Sequence, residues 1–93
     1  MENIKKLIST GKATIVDVRT PAEFIGGNIK GSINIPLNEI LKRLDELKKM
    51  KNIILCCASG NRSSQATVLL THNGIKCENA GSWLNIKPIL TDN

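Results

Sequence analysis

The stretch Leu55 to Gln65 reads LCCASGNRSSQ and joins an apolar run to a helix-like segment. Residues Asn52 to Cys56 (NIILC) overlap this stretch. They are the most apolar of the strand-like runs in the chain and predict a buried strand. Residues Ser63 to Asn73 carry apolar side chains at helical spacing and predict a helix, which Asn73 and Gly74 end. Small, turn-forming residues lie between them, so the stretch predicts a strand, a tight loop and a helix in succession.

Strands and helices alternate along the rest of the chain as well. The other predicted strands are Ala13–Val18, Ser32–Ile35 and Ile75–Glu78. The other predicted helices are Asn3–Ser9, Leu37–Met50 and Trp83–Leu90, the last interrupted by Pro88. This alternation predicts an α/β fold in one domain, residues 1–93. Its small parallel sheet of about four or five strands is flanked by helices on both faces.

One further helix is predicted from a capping box. Thr20 is suited to the N-cap, Pro21 to the first helical position and Glu23 to the third. Gly26 and Gly27 follow and predict that this helix is short.

The composition limits the classes of partner. The chain has 93 residues with one Trp, one Phe and no Tyr, so its core must be aliphatic, and stacking on nucleobases is disfavoured. Lys and Arg number 13 against 8 Asp and Glu, a net charge of +5, but they are scattered. We therefore expect no nucleic-acid partner. The net positive charge can, however, attract a small anionic substrate.

The three cysteines predict free thiols. Their number is odd, and no Cys-x-x-Cys motif or Cys/His cluster accompanies them, so we expect neither a disulfide framework nor a metal or other cofactor. The chain opens MENIKKLIST, without an apolar segment of signal-peptide length or a membrane span. We expect a monomer in the reducing cytoplasm, with no membrane partner.

The loop after the most apolar strand has the composition of an anion-binding site. Ala58 to Asn61 can curl so that successive backbone N–H groups point to one spot, and the following helix adds its free N–H groups. A thiol at that spot has its thiolate stabilised, and Arg62, five residues after Cys57, adds a fixed positive charge. The pattern predicts that Cys57 is a nucleophile poised for an anionic substrate.

The other two thiols are predicted to have structural roles. Cys56 lies inside the strand and Cys77 alternates with Ile75, so both are expected in the core. A resolving role for either thiol is the alternative. His72, near a helix end, is predicted to be exposed to solvent.

Two segments of the sequence resemble the rhodanese-like family of sulfurtransferases. IVDVRTPAEFIGGNIKGSINIPL (Ile15 to Leu37) is similar to the family signature D-V-R…E-F…G-H-I-x-G-A-x-N-I-P. CASGNRS (Cys57 to Ser63) is similar to the active-site loop Cys-x-x-Gly-x-Arg-Ser. Besides these two segments, ENAGSW (Glu78 to Trp83) resembles a C-terminal motif of small single-domain members, including those of phage-shock type.

The resemblance implies a parallel α/β fold and a two-step sulfur transfer. The Cys57 thiolate would take a sulfane sulfur from a donor such as thiosulfate and become a persulfide. A nucleophilic acceptor would then remove that sulfur: cyanide in an assay, a thiol or thioredoxin-like protein in the cell. Arg62 would bind the anionic donor while the loop amides hold the outer sulfur. The substrate-binding residues implied in this way are Ala58, Ser59, Gly60, Asn61, Arg62 and Ser63.

The resemblance also covers three charged residues beside the loop. Asp17 and Arg19 correspond to the family's D-V-R and are predicted to form a scaffold. Asp17 is expected to hydrogen-bond nearby backbone, and Arg19 to pair with acids such as Glu23. Glu23 is itself predicted to be structural, as the acid of the capping box.

Two other kinds of function use the same residues. A cysteine phosphatase or arsenate reductase also holds a thiolate in an anion-binding loop, although phosphatases typically space the Cys and the Arg one residue further apart. A non-catalytic rhodanese-like interaction module is the other alternative, with a redox-sensing form suggested by the adjacent Cys56 and Cys57.

Overall fold

A parallel sheet forms the centre of the computed structural model, which describes residues 2–91. Within that range the strands are β1 (Thr14–Asp17), β2 (Ile33–Asn34), β3 (Ile53–Cys57) and β4 (Cys77–Ser82). Their order in the sheet is β2-β1-β3-β4, and every neighbouring pair is parallel. The predicted parallel α/β fold is confirmed, with four strands in the described part of the chain.

Helices and short turns connect the strands. The α-helices are α1 (Glu2–Ser9), α2 (Pro21–Ile25), α3 (Leu44–Lys48), α4 (Asn61–His72) and α5 (Lys87–Thr91). Tighter 3-10 turns occupy Leu37–Glu39, Leu41–Arg43 and Trp83–Asn85. Within residues 2–91 none of the helices has both the length and the apolar character needed to cross a lipid bilayer.

The alternation of side chains along β3 divides the core into two layers. Successive residues of a strand point to opposite faces. On one face the buried cluster comprises Val16, Val18, Ile35, Ile40, Leu47, Ile53, Leu55, Cys57, Ala66, Leu70 and Ile75. On the other face it comprises Ile4, Ile8, Ile15, Ile29, Ile54, Cys56, Ala80 and Ile86. A strand buried on both faces must be apolar throughout, which explains the run NIILC.

The capping box at the start of α2 is confirmed. The Thr20 hydroxyl accepts a hydrogen bond from the Glu23 N–H at 3.3 Å, and the Glu23 carboxylate accepts one from the Thr20 N–H at 3.0 Å. Pro21 occupies the first helical position and Gly26 ends the helix. This helix begins directly after β1 and therefore starts at the carboxyl edge of the sheet.

The single helix predicted for Leu37–Met50 is wrong. Two 3-10 turns and the short α3 replace it, and Arg43 (φ −118°, ψ 27°) departs from helical geometry before α3. A 3-10 turn has three residues rather than 3.6, so the apolar residues no longer share one face. Ile40 and Leu47 are buried, whereas Leu41 is 55% exposed.

The C-terminal part differs from the sequence prediction in two places. The last strand begins at Cys77 rather than Ile75, because the Ile75 N–H instead bonds the Leu70 carbonyl at 2.9 Å and closes the end of α4. The helix predicted for Trp83–Leu90 is divided into the 3-10 turn Trp83–Asn85 and α5 (Lys87–Thr91), and Pro88 does not interrupt α5. It lies in the first turn of α5, where a missing N–H costs no helical hydrogen bond.

Candidate active site

Cys57 is the last residue of β3 and lies at the carboxyl edge of the sheet. Ala58 and Ser59 form the turn that follows, and Gly60 (φ 104°) leads into α4. This left-handed conformation favours glycine, and a β-carbon at Gly60 would lie 3.4 Å from the Gly81 Cα. In parallel α/β sheets ligands bind at this edge, so the predicted loop occupies the expected position.

The Cys57 sulfur lies inside a ring of hydrogen-bonding groups. The Gly60 N–H points at Sγ from 2.9 Å and the Ser63 N–H from 3.4 Å. The Ser63 hydroxyl lies 3.4 Å from Sγ and donates to the Gly60 carbonyl at 3.1 Å. When the thiol ionises, this hydroxyl can turn and donate to the sulfur. The Cys57 side chain is buried, yet it points toward these donors.

These contacts distinguish Cys57 from the other two thiols. Burial raises the pKa of Cys57, but hydrogen bonds from Ser63, Gly60 and Ser59 outweigh it, so the pKa lies below its ordinary value. Burial, followed by the charge of Asp17, raises the pKa of Cys56 to about 12. Burial also raises the pKa of Cys77. At neutral pH the nucleophilic thiolate is therefore concentrated at Cys57.

This difference between the thiols gives a testable pH profile. The ultraviolet thiolate absorbance of the wild-type protein minus that of Cys57→Ser should titrate with a midpoint below that of a free cysteine. Because a lowered pKa favours the thiolate, the signal should rise with pH to a plateau before the other two thiols ionise. The absorbance of the wild-type protein minus that of Cys77→Ser should show no transition over the pH range in which Cys57 titrates. A Cys57 midpoint at or above the free value would contradict the assignment.

The predicted loop residues differ in how closely they approach the sulfur. Gly60 and Ser63 contact Sγ directly, and the Ser59 backbone contributes least to lowering the pKa of Cys57. Ala58 and Asn61 are exposed residues of the same segment. Of the cradle of amides predicted for Ala58 to Ser63, those of Gly60 and Ser63 reach the sulfur.

Arg62 has a partner that the sequence argument missed. Its Nη1 lies 2.6 Å from Glu23 Oε1 and its Nη2 lies 3.0 Å from Glu23 Oε2, a two-point ion pair. The hydrogen bonds from Arg62 and then Thr20 lower the pKa of Glu23 to about 2. The topology could have indicated this pair, because α2 and α4 both begin at the carboxyl ends of neighbouring strands.

The predicted pairing of Arg19 with the Glu23 carboxylate is wrong. The Arg19 guanidinium instead pairs with Asp17 at 2.8 Å, and it reaches only the main-chain oxygen of Glu23. It also donates to the Gly27 carbonyl at 2.7 Å and lies over the Trp83 ring, 4.5 Å from the ring centre. The predicted bond from Asp17 to nearby backbone is confirmed at the Arg19 N–H, 2.9 Å. This buried pair ties β1 to the ends of α2 and β4.

The remaining cysteines and the histidine match their predicted environments. Cys56 is fully buried on the face of the sheet opposite Cys57, and Cys77 is half-buried beside the core. The thiols of Cys56 and Cys57 therefore diverge and cannot meet while β3 stays paired. His72 is exposed.

Among residues 2–91 no three His, Cys, Asp or Glu side chains are grouped as metal ligands.

Comparison with known proteins adds relatives at moderate identity. The chain is 43% identical to YqhL of Bacillus subtilis over 63 residues, which cover 68% of this chain and 50% of that protein. It is 35% identical to the thiosulfate sulfurtransferase PspE of Escherichia coli over 74 residues, covering 76% of this chain and 71% of PspE. The chain spans about half to two thirds of the length of several curated relatives.

Structural similarity and the family profile agree with these relatives. A crystal structure of a rhodanese-related protein from Thermoplasma volcanium is 33% identical and superposes with a TM-score of 0.74. The match covers 94% of this chain and 86% of that one. The profile of the Rhodanese-like domain matches residues 1–86. The chain belongs to the rhodanese-like domain family.

Proposed function

We propose that this domain is a sulfurtransferase that carries a sulfane sulfur as a persulfide on Cys57. The donor is a small sulfur compound such as thiosulfate, and the acceptor is cyanide in an assay and a thiol in the cytoplasm. The observation that carries the proposal is the set of N–H groups around Sγ, from Gly60 at 2.9 Å and Ser63 at 3.4 Å. Membership of the rhodanese-like family and the similarity to PspE support it.

The first step forms the persulfide. The Cys57 thiolate attacks the outer sulfur of thiosulfate, a new S–S bond forms, and the original S–S bond breaks. Sulfite leaves with the electron pair of the broken bond, and the negative charge remains on the transferred sulfur. The amides of Gly60 and Ser63 are suited to this step because they can stabilise the anionic sulfur before and after transfer.

The second step returns the enzyme to its starting form. Cyanide or a thiolate attacks the outer sulfur of the Cys57 persulfide, and the S–S bond breaks. The Cys57 thiolate leaves with the bonding electrons, and the product is thiocyanate or a new persulfide. A leaving thiolate of lowered pKa departs more readily, so the contacts that activate Cys57 in the first step also assist its release.

The geometry favours sulfur transfer over the two alternatives. Cys57 and Arg62 are one residue closer in sequence than the corresponding residues of phosphatases typically are, and a shorter loop suits one sulfur atom better than a tetrahedral phosphate. Arg62, which a phosphatase would need for its dianion, is paired with Glu23. A redox sensor based on adjacent cysteines is disfavoured because Cys56 faces the opposite side of the sheet.

The assay that tests the proposal compares two reactions on one preparation. With thiosulfate and cyanide we expect steady formation of thiocyanate, measured as its coloured iron complex. With a generic aryl phosphate we expect no hydrolysis above that of Cys57→Ser. Hydrolysis of the aryl phosphate without thiocyanate formation would contradict this proposal and indicate a phosphatase.

A further inference from the structure

The ion pair between Glu23 and Arg62 lies beside the loop that holds the reactive sulfur. Arg62 is in the first turn of α4, five residues after Cys57, and its side chain is 31% exposed. Both of its terminal nitrogens bind the two carboxylate oxygens of Glu23, at 2.6 and 3.0 Å. One donor edge of the guanidinium is thereby occupied within the protein.

Glu23 is itself held in place by the capping box. Its Oε1 accepts hydrogen bonds from the Thr20 N–H and the Thr20 hydroxyl, each at 3.0 Å, in addition to the bond from Arg62. The carboxylate thus bridges the start of α2 and the start of α4. The Glu23 carboxylate is therefore a fixed negative charge beside the loop. It offsets the charge of the Arg62 guanidinium, so the pair as a whole adds no net positive charge to the site.

The negative charge of Glu23 affects two kinds of sulfur donor, thiosulfate and persulfides, differently. Thiosulfate is a free dianion, so its sulfonate end must compete with Glu23 for Arg62 and is repelled by the carboxylate. A persulfide of the type R–S–SH carries no sulfonate. Its outer sulfur needs only the N–H groups of Gly60 and Ser63, which Glu23 does not contact.

We propose that Glu23 is a specificity-determining residue that screens Arg62 and makes persulfides, rather than free dianions such as thiosulfate, the preferred sulfur donors. This inference rests on the proposed sulfur transfer. In the step concerned, the Cys57 thiolate attacks the outer sulfur of R–S–SH, the new S–S bond forms and the donor S–S bond breaks. The donor thiolate leaves with the electron pair, and it takes up the proton when the Cys57 persulfide ionises.

The test is the substitution Glu23→Gln, assayed with thiosulfate and with cysteine persulfide as donors and cyanide as acceptor. Glutamine also serves as the third residue of a capping box, so the helix start is retained while the charge is removed. We expect kcat/KM for thiosulfate to rise about fivefold, the scale of an exposed ion pair, and kcat/KM for cysteine persulfide to change less than about twofold. The ratio of the two values is measured on one sample, so it does not depend on the folded fraction.

Two matched variants separate the charge from the structure around it. Thr20→Ala breaks the capping box but keeps the Glu23 charge, and it should lower the melting temperature without changing the donor ratio. Glu46→Gln removes the distant exposed pair with Arg43 and should change neither quantity. In Glu23→Gln, kcat/KM for thiosulfate should also fall more steeply with ionic strength than in the wild type.

The outcomes distinguish this inference from the proposed function. An unchanged donor ratio in Glu23→Gln, or a wild-type protein that prefers thiosulfate over cysteine persulfide, would overturn the role of Glu23 while leaving sulfur transfer intact. If the wild type forms thiocyanate from neither donor and gains no sulfur from either, the proposed function itself fails. A donor ratio that shifts toward thiosulfate only when Glu23 is replaced supports the inference.

Discussion

Replacing Cys57 by serine is expected to abolish thiocyanate formation, with a fall in kcat of at least about a thousandfold. A serine hydroxyl ionises far above neutral pH and cannot form the S–S bond on which the transfer depends. The fold should persist, because serine has nearly the size of cysteine and can accept the hydrogen bonds of Gly60 and Ser63. The measurement is kcat with thiosulfate and cyanide, accompanied by thermal unfolding of the same samples.

The other two cysteines supply the controls for this result. Cys56→Ser puts a hydroxyl in a fully buried apolar cluster and should lower stability while the folded fraction keeps its activity. Cys77→Ser changes a half-buried side chain at the amino end of β4 and should leave kcat within about twofold. A folded Cys57→Ser protein that retains substantial turnover would show that another group carries the sulfur.

The largest expected effect on stability comes from Asp17→Ala. Asp17 is fully buried and Arg19 is only 4% exposed, so the substitution leaves a buried guanidinium without its counter-ion. Breaking a buried pair by removing one partner typically costs about 3–5 kcal/mol. Small domains have a total free energy of unfolding of about 5–15 kcal/mol, so this variant should lose a large fraction of its stability. The change in the free energy of unfolding is measured by urea denaturation, monitored by circular dichroism.

An exposed ion pair of the same chain provides the comparison. Arg43 and Glu46 form a 3.0 Å pair on the surface, and Glu46→Ala should leave the urea midpoint nearly unchanged. If Asp17→Ala were as mild as Glu46→Ala, the network of Arg19 with Gly27 and Trp83 would not be the anchor between β1, α2 and β4 that its contacts indicate.

Much of this fold could be predicted from local patterns in the sequence. The apolar run before Cys57 predicts a strand buried on both faces, and the alternation with helical segments predicts a parallel sheet. The capping box at Thr20 and Glu23 fixed the start of α2 correctly. These features succeed because each depends on residues close together in the chain.

The errors occurred where the local pattern was ambiguous or incomplete. Apolar spacing from Leu37 onward fits both a continuous helix and a succession of tighter turns, and only packing against the sheet decides between them. The N–H of Ile75 could pair with a strand or close a helix, and its bond to Leu70 settles the choice. Pro88 breaks a helix interior but is accepted in the first turn, so its effect depended on where α5 starts.

The candidate site shows the same division between local and distant residues. Cys57, Gly60 and Ser63 lie within seven consecutive residues, and the loop chemistry alone predicted their meeting. The partner of Arg62 is 39 residues away, so the sequence assigned Glu23 only its local role in the capping box. Pairings across the sheet edge become visible only once the strand order is known.

The most direct test of the account is detection of the persulfide itself. The protein is treated with thiosulfate, or with cysteine persulfide, and digested under non-reducing conditions for mass spectrometry. A Cys56→Ser background leaves one thiol in the peptide that contains Cys57, so the position of any added sulfur is unambiguous. We expect a gain of one sulfur atom on that peptide, lost again on addition of cyanide. A folded protein whose Cys57 peptide gains no sulfur from either donor would contradict it.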